Sequence, residues 1–237
     1  MNQTYFGGYG LYLLISLPAL LLGFWAQIKV QSTYNKYSRV GTYTGVTGSG
    51  VARHILDSNG LQQINIEQTG GTLSDHYDPR SKILRLSAPV YQGNSIAAAG
   101  IAAHEAGHAL QHKDGFGPLK IRSLMVPSVT LGSWLGPIIF MVGLFMASQT
   151  GDNIAWIGIA IFSATALFSI VTVPVELDAT RRAKSWLIKS GALVESEMAG
   201  ASAVLDAAAW TYVAAAIQSI STILYYATLL MGRRRRS

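Results

Sequence analysis

The chain has 237 residues, half of them hydrophobic, only 13% charged and none of them cysteine. The lack of cysteine excludes a disulfide framework and a thiolate metal site, and the low charge, against ~25% in soluble domains, points to a membrane. The net charge of +6 reads as membrane topology rather than nucleic-acid binding, because no basic stripe is interleaved with aromatics.

Four segments lack Asp, Glu, Lys and Arg and are long enough to span ~30 Å of hydrocarbon. The first, Leu11 to Ile28, has no positive n-region and no clear cleavage site, so it reads as an uncleaved anchor. Residues 29–50 are polar and glycine-rich, but no Gly-Lys-Ser/Thr follows, so a phosphate loop is not expected. Thr47 or Ser49 caps a short amphipathic helix, Val51 to Asn59, ended by Gly60, with His54 exposed. Ile64 and Ile66 alternate with polar residues in a half-buried strand over 61–68. Thr69–Thr72 and Asp75–Ser81 read as turns, and Lys82–Ser87 as a further strand. Together these predict a small antiparallel sheet.

Asn94 or Ser95 caps a helix from about Ile96 to Gln111, whose first half is nearly all small residues and suited to close packing. The second and third spans, Leu124 to Ala147 and Ile154 to Val175, are joined by the short polar turn 148–153 and form a hairpin. The fourth runs from Ala207 to Met231. With four crossings, 29–123 and 174–206 share one face and carry all but four of the 18 Lys and Arg. The positive-inside rule makes that face cytoplasmic. The tail Arg233–Arg236 then falls outside, which conflicts with the same rule unless one span, most naturally the fourth, is re-entrant or lies along the interface.

The chemistry concentrates in Ile101-Ala-Ala-His-Glu-Ala-Gly-His-Ala-Leu-Gln-His112. His104 and His108, four apart, lie on one helix face and can share a metal. Glu105 lies about 100° round the helix, placed for a base rather than a ligand. His-Glu-x-x-His in these roles is a metalloprotease signature. With cysteine absent, any zinc must be held by imidazole and carboxylate, and one zinc ion per chain is expected. A catalytic zinc takes three protein ligands and a water. His112 is roughly 12 Å of rise from His104 and reads as a neighbouring or surface residue. His76 would require a loop ligand. Glu176, just past the third span, is returned towards the histidines by the hairpin and is the favoured third ligand.

These residues carry a resemblance. Asp75-His-Tyr-Asp-Pro-Arg80, His104-Glu-Ala-Gly-His108, the hydrophobic hairpin and Pro174-Val-Glu-Leu-Asp-Ala179 resemble the bacterial YugP-like family of membrane zinc metallopeptidases. More distantly, the chain is similar to the HtpX and CAAX-prenyl-protease gluzincins. The resemblance covers nearly the whole chain. It implies His104, His108 and Glu176 as ligands and Glu105 as the catalytic residue. Where the wider group has Asp four residues after the ligand Glu, this chain has Thr180, with Asp178 two residues earlier.

The expected molecule is therefore a mainly α integral membrane protein of about four hydrophobic helices, with a small antiparallel sheet in a gluzincin-like domain. Its parts are an anchor (1–28), a metallopeptidase domain (29–123), a transmembrane hairpin (124–175), a third-ligand region (176–206) and a C-terminal helix with basic tail (207–237). Glu105 would take a proton from zinc-activated water and pass it to the leaving amine. The oxyanion could be met by Arg181, Arg182, His76 or Tyr212. The strand Lys82–Ser87 could offer an exposed edge to an extended peptide. Expected partners are a peptide or membrane-protein substrate, the bilayer, and a further copy or membrane partner. The rival class is an inactive membrane adaptor with structural zinc, which would gain nothing from Glu105.

Overall fold

The structure, a computed structural model, describes residues 3–146 and 148–234. Ala147, at the end of the second expected span, and Arg235 and Arg236 of the tail lie outside them. The elements follow as α1 (Gln3–Tyr37), α2 (Gly48–Ser58), β1 (Asn65–Thr69), β2 (His76–Asp78), β3 (Ile83–Ser87), α3 (Ala88–Tyr91), α4 (Ile96–Lys113), α5 (Gly117–Phe145), α6 (Gln149–Lys189) and α7 (Glu195–Arg234). They fall into two compact units. One comprises residues up to Trp25, Ile121–Val173 and the chain from Thr211; the other comprises Ala26–Lys120 and Pro174–Trp210.

Among the described residues, α1, α5, α6 and α7 are the four helices long and apolar enough to cross a membrane, and each contributes part of its length to the first unit. The first, third and fourth expected apolar segments lie inside α1, α6 and α7, which run on past them, and the second begins inside α5, which ends at Phe145. Pro174 removes one intrahelical hydrogen bond, yet α6 is 41 residues long and includes Glu176 and Asp178. Likewise α7 is one unbroken helix, not a re-entrant pair. Arg233 near its end donates to the Leu144 carbonyl at 2.7 Å and pairs with buried Asp152 at 3.4 Å. The α5–α6 turn and the last turn of α7 therefore share one end, as four crossings require. Glycines bring α5 and α6 into backbone contact: a Cβ on Gly158 would stand 2.4 Å from the Phe140 nitrogen. Phe140 in turn stacks on Tyr226 of α7, ring centroids 4.0 Å apart.

In the second unit, Thr47 caps α2 by accepting from the Gly50 N–H, and Gly60 follows its end at φ +70°. The sheet is mixed, which corrects the antiparallel expectation. Its order is β1-β3-β2, with β1 parallel and β2 antiparallel to β3. The physical reason is a third strand inside the segment read as a turn. After β1 the chain crosses to the far edge through Gly71 and Leu73, both at positive φ. It adds β2, turns back at Lys82, also at positive φ, and fills the middle with β3. Asp75 locks the crossing by accepting from the Ser87 N–H at 2.8 Å and its hydroxyl at 3.1 Å. As the central strand, β3 has both edges paired, so it offers no free edge to a peptide; the edges are β1 and β2. Leu84 and Leu86 of β3 bury against Ile55, Leu56, Ala102 and Ala106 to form the core beneath α4.

Introducing a branched side chain with Gly158→Val is expected to push α5 from α6, destabilising the fold by about 1–3 kcal/mol as overpacked cores do. Thermal unfolding of the detergent-solubilised protein checks this.

Candidate metal centre

The site is organised by α4. Ser95 caps it, its hydroxyl accepting from the Ala98 N–H at 3.1 Å. Its small residues then admit close neighbours: Gly100 lies beside Ala201 and Leu205 of α7, and a Cβ on Gly107 would stand 2.9 Å from the Ala179 carbonyl oxygen of α6. With 3.6 residues per turn, positions 104, 108 and 111 line one face and 105 and 112 another. The first face meets α6; the second meets β2.

On the first face, His104 Nε2 lies 3.0 Å and His108 Nε2 3.5 Å from the same oxygen, Glu176 Oε2. Glu176 is 1% exposed and His108 6%. A carboxylate this deep is costly without a cation or donors to satisfy it. Two ligands bonded to zinc at ~2.0–2.1 Å in tetrahedral array stand roughly 3.3 Å apart. The two measured separations bracket that value, and the ligand atoms of all three residues lie within 4.8 Å of one another. The donor set therefore fits zinc. Burial works against a charge on His108, but the adjacent Glu176 carboxylate outweighs it and raises the histidine pKa.

The outer ring nitrogens are held as well. His104 Nδ1 is 3.3 Å from the Thr180 hydroxyl. His108 Nδ1 is 2.9 Å from Gln111 Oε1. The Gln111 amide group donates to the Val175 carbonyl at 2.7 Å and to Asp178 Oδ2 at 3.0 Å, which fixes its oxygen towards the histidine. His108 therefore donates its Nδ1–H to Gln111, which turns Nε2 towards the space it shares with His104 and Glu176. Anchoring of this kind sets tautomer and ring direction in metal sites. Asp178 is held in turn by Arg181 and, at 2.7 Å, by Arg182, which also reaches Asp114 at 2.5 Å.

On the second face, Glu105, 8% exposed, accepts the main-chain N–H of Tyr77 through Oε2 at 3.0 Å. The Tyr77 hydroxyl is 2.9 Å from His112 Nδ1. Burial, followed by the charge of Asp78, pushes the Tyr77 phenol up to about 12, so it stays protonated. His112 is thus tied to β2 and not to the other histidines. His76 is exposed, its Nδ1 2.8 Å from the Ser74 carbonyl. Arg181 and Arg182 are engaged with acidic side chains of their own unit.

The sequence reading missed Gln111 and Tyr77. Gln111 carried a signal: it lies three residues after His108 and seven after His104, on the same helix face. Tyr77 carried none, because its role follows from a strand read as a turn. Thr180 sits at the position marked by the resemblance and approaches His104 with a hydroxyl.

Residues 12–231 match the model of a family described as "Putative neutral zinc metallopeptidase". A "Putative membrane protease YugP" of Bacillus subtilis (strain 168) is 43% identical over 224 residues, 94% of this chain and 98% of that protein. No solved structure matches.

Replacing Gln111 with Leu keeps the bulk but frees His108 Nδ1 and leaves Asp178 without its amide partner. Zinc affinity is expected to fall about 10–100-fold, read by competitive titration against a chromogenic chelator.

Proposed function

The chain belongs to the family described as "Putative neutral zinc metallopeptidase", and from that premise we propose that it is a membrane-embedded, zinc-dependent endopeptidase. The observation that carries the reading is the convergence of His104 Nε2, His108 Nε2 and Glu176 Oε2 in one buried space, with Glu105 beside them on the next helix face. These three residues hold one zinc ion per chain, a gluzincin-like ligand set of two imidazoles and a carboxylate from a second helix. Zinc supplies there an acidified water and a Lewis acid for the scissile carbonyl.

The chain's own residues do the rest. Glu105, with Oε2 fixed by the Tyr77 N–H, takes the water proton on its carboxylate and returns it to the leaving amine. Thr180 and Gln111 keep both imidazoles turned with Nε2 inward. Arg182 and Arg181 hold Asp178, which holds Gln111. The edge strand β2 lies beside Glu105, so an extended peptide is laid along that side of the helix rather than along β3. Four long apolar helices support a membrane location, and the excess of Lys and Arg over 29–123 and 174–206 supports a cytoplasmic active site. Substrates are peptides or membrane proteins presented near that surface.

Glu105→Gln is expected to keep stoichiometric zinc while casein cleavage falls about 10²–10⁴-fold. Unchanged cleavage would overturn the role of Glu105. Glu176→Ala is expected to lose zinc and activity together, measured by elemental analysis of the purified protein. Full zinc retention there would move the third ligand elsewhere.

A further inference from the structure

Tyr77 is held at two points by one helix. Its main-chain N–H reaches Glu105 at 3.0 Å, and its phenol reaches His112 at 2.9 Å. Glu105 and His112 are seven residues apart, so they sit almost above one another, two turns apart on one face of α4. The rings of Tyr77 and His112 are 5.9 Å apart and tilted by 51°, in contact as well as hydrogen-bonded. Tyr77 is 9% exposed and sits in the middle of a three-residue strand, opposite Leu84 of β3. A strand this short has little pairing of its own to hold its position along the helix. The phenol–imidazole bond supplies a second fixed point.

We propose that Tyr77, bolted through its phenol to His112, is the positioning residue for Glu105, making the edge strand and the base a single rigid piece. The proposal rests on the metallopeptidase reading for what Glu105 does, and on the two contacts for what Tyr77 does. It assigns His112 a task outside the ligand set: His112 anchors the strand whose N–H orients the carboxylate. Tyr77 touches neither the ligand atoms nor, through its phenol, the reacting groups, and acts through Glu105. Small displacements of a positioned group are enough to cost large factors in rate.

Three variants of the full-length, zinc-loaded protein test this: Tyr77→Phe, His112→Phe and His112→Asn. Asn carries a hydrogen-bonding atom close to the place of Nδ1; Phe fills the space without one. Two readouts are used, hydrolysis of a fluorogenic casein peptide and amide hydrogen exchange of the segment 76–78. In Tyr77→Phe and His112→Phe, kcat is expected to fall about tenfold with KM changed less than twofold and zinc content unchanged. Exchange over 76–78 should quicken while that over 83–87 does not. His112→Asn should restore both readouts, and Tyr77→Phe combined with His112→Phe should lose no more than either alone.

Unchanged exchange and kcat in both Phe variants overturn the proposal while leaving the peptidase reading intact. So does failure of His112→Asn to rescue, or a fall in zinc content parallel to that in kcat, since either makes the pair a general support. If the wild-type protein hydrolyses nothing, the peptidase reading fails, and the exchange measurement alone then decides whether His112 holds the strand.

Discussion

The buried carboxylate of Glu176 is the constraint around which this molecule is arranged. A charge 1% exposed must be met by partners close at hand, and those partners are two imidazoles on another helix. Bringing them together requires α4 and α6 to touch over several turns. The residues that allow this are small: Gly107 against Ala179, and Ala103, Ala106 and Ala183 in the same core. The alanine- and glycine-rich composition of α4 is thus a consequence of where its polar side chains have to point.

Helix geometry then divides the labour. Residues 104, 108 and 111 face α6, where Thr180 and Glu176 answer His104, Glu176 answers His108 and Asp178 answers Gln111. Residues 105 and 112 face the sheet, where one strand residue answers both. The His104–His108–Glu176 cluster and Glu105 are therefore supported by separate elements. The Arg182–Asp178–Gln111–His108 chain of contacts continues the first network to Asp114, just past the end of α4 itself. A carboxylate network tied at both ends in this way resists rotation of either helix about its axis.

The parts legible in the sequence were those encoded by local period. Charge-free runs marked the apolar helices, the His104–His108 spacing marked a shared face, and Ser95 and Thr47 marked helix starts that the structure shows capped. Glu176 was legible as a candidate because an acidic residue directly after an apolar span demands an explanation. The mixed sheet was not legible. His76, Tyr77 and Asp78 lie in a segment whose Asp75, Asp78 and Pro79 read as a turn, and only pairing with β3 makes them a strand. Parallel pairing of β1 with β3 depends on a crossing over 70–75 that no alternation pattern records. Gln111 was legible by its place on the His104–His108 face, but its task shows only when both ends of its amide are seen to be used.

The contact at Gly107 has one more effect. Where two helices are spaced by interlocking side chains, the gap can widen or narrow as rotamers change. Here a main-chain carbonyl of α6 lies against a residue with no side chain, so the stop is made of atoms that cannot swing away. Glu176 is three residues from that stop in sequence, and His108 is its immediate neighbour. The opening between the imidazoles and the acid is therefore that of a stiff jaw rather than a soft one, its gape limited by main-chain contact.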